Sequence, residues 1–517
     1  MGALTTPNVK YPLVASYNPR GNSGQEAITA GLDQRKINSY YEVVQNSASK
    51  MQTVYLSKRP PAYPGVLDYG VATQTTYLIG LKPGRYDDSF EQGPEQVNAT
   101  NFWVYAVSSN TCFAVEGGGS GIPVLASTNY VPAYIDRTAI SGLDYAVAQV
   151  THTSQQQRVF YASTSSVAAF TEISSATFTS LNLTGKMEFM DGYAFATDGS
   201  TQRIYNSELN TLDVWLPLNF IAKQIQQDGI RTLARLGKRI VCFGYGTSEV
   251  FGNAGTAVGS PLVSIPDMSA RVGNAVPHYA VLDNKLYFIS NISGSNGGLW
   301  AFDGNSFGQV SKGPFNKVID ALRDDKLIYG LRTITWAGNG GLAIQTTHVS
   351  SNPQRWYMYF PAWGDWFEWN STVFAPPNSG KFFIGVSSAA KHKIYSFNDT
   401  DNEGSQVDAN NDTGAYQFLH QFQIPKDGNT FHKMDMCQLI GDTVTSVGVP
   451  PHNRGLISVM FSDDDGRTFS ASSRTIDMTT AEKMTTRCGS YANRVVRLEY
   501  TGEGRVRLEK FAAKVTK

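Results

Sequence analysis

The sequence has little charge and no excess of either sign. Asp, Glu, Lys and Arg make up 17% of its 517 residues, and 43 basic residues balance 43 acidic ones. Non-specific binding to nucleic acid depends on a basic surplus that meets the phosphates, and attraction to an anionic membrane depends on a similar surplus. The composition therefore disfavours a general DNA-binding role and a membrane-surface role.

Cysteine is scarce and widely spaced. The four residues Cys112, Cys242, Cys437 and Cys488 form no C-x-x-C pair, and no two of the 7 histidines lie at i, i+2 or i, i+4 spacing. This excludes the spacing of a zinc ribbon and a disulfide-dense secreted scaffold. We expect four buried, reduced thiols, no metal and no cofactor.

Long apolar runs are also missing. No run approaches the roughly 18 apolar residues of a membrane span. The first residues, Met1 to Pro7, lack the basic and apolar regions of a signal peptide. The sequence predicts a protein that is made in a cytoplasm and has no membrane-inserted segment.

The residues that are abundant favour turns and short strands. The chain has 48 Gly, 22 Pro and an aromatic content of 12%, which supplies ample surface for a core. Helical periodicity is scarce, and the best helix candidate runs from Asn219 to Asp228. The composition predicts an all-β fold.

From about Met187 onward, the chain repeats a short alternating apolar run, a turn rich in Gly, Asn or Asp, and a second short run. The spacing is that of blade-sized repeats of roughly 40 to 50 residues. We predict a β-propeller of about six blades, whose small sheets bury their faces against their neighbours. A tandem of β-sandwiches is the alternative, although the units are too short to close sandwiches. The units begin at Met187, Leu236, His278, Asp324, Gln354 and Lys381.

Three regions do not follow the repeat, and we interpret them as additional β-rich modules. Residues 1–60 are predicted to form an N-terminal platform segment and residues 405–517 a C-terminal platform module. Residues 86–176, rich in Ser and Thr, are predicted to form an inserted tip or fairing module. The propeller then takes residues 61–85 and 177–404.

The sharpest local motif is a single Asp-box turn, S-x-D-x-G-x-T-[FW]. Its carboxylate accepts backbone N–H groups, its glycine supplies a positive φ, and its aromatic ring packs beneath the turn. In sialidase-type propellers the box lies away from the catalytic residues, so we predict a structural turn. Its residues are Ser462, Asp464, Gly466, Thr468 and Phe469.

No catalytic constellation is predicted. A glycosidase needs two carboxylates, or a Tyr nucleophile with an arginine cluster, in one cleft. The carboxylate candidates Asp198, Asp303 and Glu368 lie in turns or beside aromatics, as surface groups do. The glycine-rich string Gly117 to Ile122 lacks the last glycine of a hydrolase serine elbow.

The C-terminal segment is basic. Its last 44 residues carry 10 basic and 5 acidic side chains. In the run Arg494 to Tyr500, apolar and charged residues mix as in a strand with one solvated face. Two interpretations stay open, a solvated hairpin and a surface that docks on an acidic protein ring.

Four widely spaced segments carry recognisable patterns. They are Asp33 to Glu42 ("QR-x-x-N-x-Y-x-E"), Leu56 to Pro60 ("KRPG"), Gly246 to Gly255 ("S-x-E-[VF]-x-x-N-x-G"), and Phe461 to Phe469 followed by Arg487 to Arg507. In this order the segments resemble the tail nozzle, or packaged-DNA stabilisation, protein of short-tailed bacteriophages. Each segment is short, so the resemblance depends on their order along nearly the whole chain. Pro61 and Asp465 stand where glycine is usual in the family.

The resemblance implies a structural, non-enzymatic propeller subunit. Six copies would form a homohexameric ring beneath the portal and its adaptor, extend the DNA channel and help retain the packaged genome until ejection. Tail spikes or fibres and a tail needle are further possible partners, and viral DNA would pass through without sequence-specific binding. The implied location is the virion tail, assembled in the host cytoplasm.

The basic surplus and the family-like segments together suggest an adaptor-docking surface. Charge reversal at Arg494 and Arg497 is then expected to leave folding intact and to lower adaptor binding. The residues assigned to this surface are Lys58, Arg59, Arg494, Arg497, Arg505 and Arg507.

Two other classes of protein stay open at this point. A receptor-binding fibre would show short-period β-helix repeats, which the sequence lacks. A glycan-binding or glycan-cleaving propeller of a phage tail is supported by the Asp-box and by tryptophans that could stack on sugars. These are Trp300, Trp336, Trp356, Trp363, Trp366 and Trp369.

Overall fold

A computed structural model of the chain describes the greater part of its residues. The described ranges are 9–13, 35–45, 52–59, 62–68, 75–81, 103–108, 111–116, 122–126, 130–152, 157–163, 170–256, 258–292, 297–311, 314–324, 328–336, 339–346, 354–371, 382–384, 393–397, 417–424, 431–442, 455–464, 467–470, 473–502 and 505–516.

The chain divides into two compact units. The terminal unit, which contains both chain ends, comprises Met1–Tyr63, Arg355–Ser371 and Phe397–Lys517. The repeat unit comprises Pro64–Gln354 and Thr372–Ser396. Residues 355–371, which we had assigned to the propeller, group with the terminal unit because one of their strands pairs with an N-terminal strand. The other predicted module boundaries stay predictions.

Short strands make up most of the repeat unit. They are β5 (Ala62–Asp68), β6 (Thr75–Leu81), β7 (Trp103–Ser108), β8 (Thr111–Glu116), β9 (Ile122–Ala126), β10 (Tyr130–Ile140), β11 (Leu143–His152), β12 (Gln157–Ser163), β13 (Thr171–Glu172), β14 (Glu188–Met190), β15 (Tyr193–Asp198), β16 (Arg203–Ser207), β17 (Trp215–Ala222), β18 (Ile230–Leu236), β19 (Arg239–Gly244), β20 (Ser248–Asn253), β21 (Leu262–Ser264), β22 (Asn274–Leu282), β23 (Lys285–Ser290), β24 (Leu299–Phe302), β25 (Phe307–Gln309), β26 (Ile328–Trp336), β27 (Asn339–Thr346), β30 (Phe382–Ile384) and β31 (Lys393–Phe397). The helices among the described residues of this unit are α1 (Ala176–Thr179), a 3₁₀ turn (Pro266–Met268) and α2 (Pro314–Asp324).

These strands form successive four-stranded meanders. Each of the sets β6–β9, β10–β13, β14–β17, β18–β21 and β22–β25 is one antiparallel sheet whose strands pair in chain order. The hairpin β26–β27 follows. The sheet β30–β31–β5 then places the first strand of the unit beside its last strands, which is the pairing that closes a ring of sheets.

Tight turns set the register within each meander. Met190 pairs with Tyr193 across Asp191 and Gly192, and both turn residues have positive φ, 52° and 83°. Two successive positive φ values define a type I′ turn, whose twist matches that of the flanking strands. Asp283 and Asn284, at 48° and 55°, form the same turn between β22 and β23.

The core lies between consecutive sheets. One apolar cluster joins Phe195 and Ile204 of the β14–β17 sheet to Leu233, Cys242 and Phe251 of the β18–β21 sheet. A second cluster joins that sheet to the β22–β25 sheet, and a third joins the β10–β13 and β14–β17 sheets. From the β10–β13 sheet to the β22–β25 sheet, each sheet therefore packs against the next one in the sequence, as propeller blades do.

The terminal unit is built from distant parts of the chain. Its strands are β1 (Val9–Pro12), β2 (Arg35–Ile37), β3 (Ser39–Gln45), β4 (Gln52–Lys58), β28 (Gln354–Phe360), β29 (Asp365–Ser371), β32 (Phe418–Ile424), β33 (His432–Gly441), β34 (Leu456–Ser462), β35 (Arg474–Asp477), β36 (Met484–Thr486), β37 (Ser490–Tyr491), β38 (Arg494–Tyr500) and β39 (Arg507–Thr516). One sheet has the order β3–β4–β39–β33–β36, with β1 on β39 and β37 on β33. The other runs β28–β29–β2–β32–β38–β34–β35.

The helix predicted from Asn219 to Asp228 is wrong. Phe220 and Ile221 belong to β17 and pair with Tyr205 and Ile204 of β16. The ladder of backbone hydrogen bonds thus overrides a weak helical pattern. No helix within the described ranges is long and apolar enough to span a membrane.

Candidate docking surface

Lys58 and Arg59, at the end of β4, are buried at 1% relative exposure each. Lys58 Nζ donates to the Gly502 carbonyl at 2.7 Å and lies 5.2 Å from the centroid of the Tyr500 ring. Arg59 Nε donates to Asn38 Oδ1 at 3.0 Å. These two cations tie the N-terminal strands to each other and to the C-terminal strands.

Arg494, at the start of β38, is buried at 3% exposure. Its guanidinium forms a bidentate pair with Asp463, with N–O distances of 2.7 and 2.8 Å, and Nη1 donates to the Cys488 carbonyl at 2.6 Å. The rings of Phe461 and Tyr491 lie 4.7 and 4.5 Å from it.

The expectation of an exposed docking surface is therefore wrong for Lys58, Arg59 and Arg494, which are buried in the chain's own interior. The expected tolerance of charge reversal at Arg494 is corrected for the same reason. A buried negative charge there would face Asp463 and the Cys488 carbonyl, and such uncompensated burial is costly.

Arg505 and Arg507 converge on one carboxylate. Arg505 Nη2 lies 2.5 Å from Glu42 Oε1, Arg507 Nε lies 2.9 Å from Glu42 Oε2, and Ser57 Oγ donates to the same carboxylate at 2.8 Å. Burial alone would raise the pKa of Glu42, but the hydrogen bond from Arg507 and the charge of Arg505 outweigh it and lower that pKa. The two arginines keep about a fifth of their side chains exposed, 20% and 22%.

Arg497 lies on a more open face of β38, with 25% of its side chain exposed. Its guanidinium stacks over Phe469 at 3.6 Å from the ring centroid and donates to Gln421 Oε1 at 3.0 and 3.2 Å. Partial burial lowers the pKa of Arg497. Of the six predicted docking residues, Arg497, Arg505 and Arg507 are the three that reach solvent, and their docking role stays a prediction.

The Asp-box turn is closed by its own side chains. Asp464 accepts hydrogen bonds from Ser462 Oγ at 2.6 Å, Thr468 Oγ1 at 2.6 Å and the Thr468 N–H at 2.9 Å. The hydrogen bonds from Ser462 and Thr468 hold the pKa of Asp464 well below its usual range. Gly466 lies outside the described residues. Phe469 packs under Arg497, which links the turn to β38.

A buried polar cluster in the same unit was missed by sequence reasoning. Lys36 Nζ donates to Tyr41 Oη at 2.8 Å and forms an ion pair with Asp365, while Tyr41 Oη donates to Asp365 at 2.6 Å. Burial would raise the pKa of Asp365, but the charge of Lys36 and its hydrogen bond lower it. Lys36 and Tyr41 lie in the family-like segment Asp33 to Glu42. Asp365 was overlooked because its stretch was assigned to another module.

The family-like segment Gly246 to Gly255, in the repeat unit, binds the loop of residues 223–228 through side-chain hydrogen bonds. Glu249 has 0% exposure and accepts hydrogen bonds from the N–H groups of Gln224 at 2.8 Å and Ile225 at 2.7 Å. Lys223, also buried, pairs with Asp228 and donates to Thr247 Oγ1 at 2.6 Å. These charged residues hold the 223–228 loop in place, so their role is structural.

The three carboxylates considered for catalysis are separate and each has a local role. Asp198 accepts from Ser200 Oγ at 2.6 Å and Thr201 Oγ1 at 2.7 Å. Asp303 accepts from the Ser306 N–H at 2.8 Å, and Glu368 pairs with Arg35 at 3.0 Å. Within the described ranges, no group of three or more His, Cys, Asp or Glu residues could hold a metal ion.

Small consecutive antiparallel sheets that bury their faces against each other define an all-β protein of the propeller class. Residues 103–333, just under half of the chain, match the sequence model of the family described as "Bacteriophage P22 Gp10, beta-propeller". Over that stretch the chain carries the propeller of this phage family, and the resemblance to phage tail nozzle proteins is confirmed. The match supports a phage structural tail protein of a non-enzymatic family, and the propeller fold is confirmed. The number of about six blades stays a prediction.

Several solved structures also resemble the chain at low identity. Raptor of Chaetomium thermophilum is 13% identical with a TM-score of 0.39, over 66% of this chain and 29% of its own length. A putative 6-phosphogluconolactonase of Bacteroides uniformis is 16% identical with a TM-score of 0.32, over 65% and 94%. The WD40 domain of Toxoplasma gondii coronin is 10% identical with a TM-score of 0.33, over 65% and 90%. Structural similarity at this level does not support an inference about function. No curated protein matches the chain.

Proposed function

We propose that the chain is the subunit of a homohexameric tail nozzle, which extends the DNA channel below the portal and adaptor and helps retain the packaged genome until ejection. The family match over residues 103–333 is the observation that carries this proposal. Viral DNA passes through without sequence-specific binding, in keeping with the balance of 43 basic and 43 acidic residues. Tail spikes or fibres and a tail needle are further partners in such a tail.

The proposal assigns docking on the adaptor to the terminal unit. Arg497, Arg505 and Arg507 keep 25%, 20% and 22% of their side chains exposed there, and their charge suits an acidic partner. A ring of identical subunits uses a heterologous interface that closes by rotation. Assembly takes place in the host cytoplasm and the product is part of the virion.

Cryo-electron microscopy of the purified chain, alone and mixed with the portal–adaptor complex, tests the assembly. We expect a sixfold ring of propellers at the tail end of the complex. If the chain stays monomeric and does not bind the complex, the nozzle assignment is wrong.

Charge reversal at Arg497 tests the docking surface, because this side chain reaches solvent and its loss leaves the Arg494–Asp463 pair intact. We expect weaker adaptor binding by Arg497→Glu, with a loss that shrinks as salt is raised. Lys433→Glu is the matched control, since Lys433 is 67% exposed in the same unit. Equal binding by both variants and the unaltered chain, across the salt series, contradicts the docking assignment.

A further inference from the structure

Two buried thiols face each other in the terminal unit. Cys437 lies in β33 with 0% exposure, and Cys488 lies between β36 and β37 with 2% exposure. They are 51 positions apart in the sequence, yet their Sγ atoms are 3.7 Å apart. Both are free thiols in the structure.

The backbone holds this pair in position from both sides. Met436 of β33 pairs with Thr486 of β36, and Lys433 of β33 pairs with Ser490 of β37. Between these pairings, the Cys488 N–H donates to the Met434 carbonyl at 3.1 Å. Cys488 therefore lies in a short bulge that is anchored to β33 before and after it.

The bulge has a specific conformation. Arg487 and Gly489, on either side of Cys488, both have positive φ, 59° and 82°. This turns the Cys488 side chain toward Cys437. A disulfide has an Sγ–Sγ distance of about 2.05 Å, so its formation requires the two Sγ atoms, now 3.7 Å apart, to approach by side-chain rotation.

The surroundings of the two thiols differ. Arg494 donates to the Cys488 carbonyl and Arg474 donates to the Arg487 carbonyl, each at 2.6 Å, so two guanidinium groups lie beside Cys488. The hydrogen bond between the two thiols lowers the pKa of Cys488 and raises that of Cys437, and the charges of the two arginines favour the thiolate form of both. Because these guanidinium groups are hydrogen-bonded to the backbone of Cys488 and of the residue before it, we assign Cys488 as the nucleophile of the pair and Cys437 as the resolving thiol.

We propose that Cys437 and Cys488 form a redox pair that closes to a disulfide when the protein meets hydrogen peroxide. The Cys488 thiolate attacks one peroxide oxygen, an S–O bond forms and the O–O bond breaks, and the released hydroxide takes a proton to become water. The Cys437 sulfur then attacks Cys488 Sγ, the S–S bond forms and the S–O bond breaks, and the second hydroxide leaves as water with the Cys437 proton. Two thiols and one peroxide give one disulfide and two waters.

Cys242 supplies a contrast within the same chain. It is fully buried in the β18–β21 sheet, and its pKa is raised to about 12, chiefly by burial. Thiols react with peroxide as thiolates, so Cys242 is expected to stay reduced under conditions that oxidise the pair.

The disulfide would link β33 covalently to the bulge beside Arg494. In the unfolded chain it would close a loop of about 50 residues. Stabilisation of the size typical for such loops corresponds to a rise in the melting temperature of the terminal unit of roughly 5–10 °C. This inference does not depend on the proposed nozzle function.

The experiment treats the full-length chain with a small excess of hydrogen peroxide and maps its thiols by mass spectrometry without reduction. We expect a cross-linked peptide pair containing Cys437 and Cys488, reduced Cys242, and a higher melting temperature that dithiothreitol reverses. Overoxidation of Cys488 to sulfinic acid without the cross-link, or both thiols still reduced when Cys242 is oxidised, overturns the proposal.

Single variants separate the roles of the two thiols. With Cys437→Ser, the sulfenic acid on Cys488 has no partner and is expected to be trapped by dimedone. With Cys488→Ser, we expect no dimedone adduct on Cys437, whereas Cys242→Ser leaves the cross-link unchanged. An adduct on Cys437 as strong as that on Cys488 contradicts the assignment of the nucleophile, and the result on the unaltered chain does not depend on the folding of any variant.

Discussion

The two units of this chain differ in which parts of the sequence pack together to bury their side chains. In the repeat unit, each apolar cluster joins one sheet to the next sheet along the sequence, as Phe195 and Phe251 do. In the terminal unit, segments up to several hundred positions apart share one sheet, and charged side chains such as Arg59 and Arg494 lie buried among them. Buried charges also occur in the repeat unit, but there they pair with nearby segments, as Glu249 does with Gln224 and Ile225. Packing and polar pairing are therefore local in the repeat unit and long-range in the terminal unit.

The largest effect is expected from the core of the repeat unit. Phe251 has 0% exposure and packs between the β14–β17 and β18–β21 sheets, so Phe251→Ala leaves a cavity between them. We expect a loss of about 3–5 kcal/mol in the free energy of unfolding. Hydrogen exchange, resolved by peptide, would show the loss in β14–β21 and no change in the terminal unit.

The control for this variant is Leu218→Ala, because Leu218 is 79% exposed in the same unit. Its effect is expected within about 0.5 kcal/mol. Equal losses for the two variants would contradict the account of a core between sheets.

In the terminal unit, the largest effect is expected from Arg494→Met. Methionine keeps much of the apolar stem but leaves the Cys488 and Ser490 carbonyls and Asp463 without their donor. Because Asp463 is 48% exposed and is partly rehydrated, we expect a loss of about 2–4 kcal/mol rather than the full cost of a broken buried pair. Urea unfolding monitored by hydrogen exchange in β33 and β38 measures it.

Arg497→Met is the matched control, since Arg497 lies on the same strand with 25% of its side chain exposed. A loss below about 1 kcal/mol is expected there. If the two variants lose the same amount, burial does not explain the difference between them.

The contrast between the units also explains what the sequence could predict. The sequence predicts turns rich in Gly, Asn or Asp between short strands, and Asp191-Gly192 and Asp283-Asn284 form such turns, because a two-residue hairpin is decided by the residues within it. Arg494 was misinterpreted as part of a solvated strand face. The strand β38 lies between β32 and β34, and its first three residues are all buried. Alternation of charge indicates a solvated face only when one face of the sheet is open to solvent. The local sequence of β38 does not show that both faces of the sheet are buried at its first three residues.

A pH-dependent effect is expected from His420 of the terminal unit. Burial, with the charge of Lys36, lowers the pKa of His420 to about 3, against 6.5 for the unperturbed group. Since the folded-state pKa is the lower one, the neutral ring contributes its full stability above about pH 6.5. That stability is lost by up to about 1.4 kcal/mol per pH unit as the pH falls toward 3.

His420→Phe tests this assignment. Phenylalanine retains the ring that stacks on Phe422 at 5.4 Å and takes up no proton. The variant should show a flatter decline in stability from pH 6.5 to 4 than the unaltered chain, measured by urea unfolding in steps of half a pH unit. Identical slopes would show that His420 does not titrate on unfolding.

The smallest effect is expected from the ion pair between Arg35 and Glu368. Both residues lie in the terminal unit at 3.0 Å, but the Arg35 side chain is 42% exposed, so water and salt screen the pair. Glu368→Gln keeps the shape and a hydrogen-bonding oxygen, and we expect a loss below about 1 kcal/mol that disappears in 1 M salt. Urea unfolding at low and high salt measures both. If this loss rivalled that of Arg494→Met, the number of charges rather than their burial would set the stability of the unit.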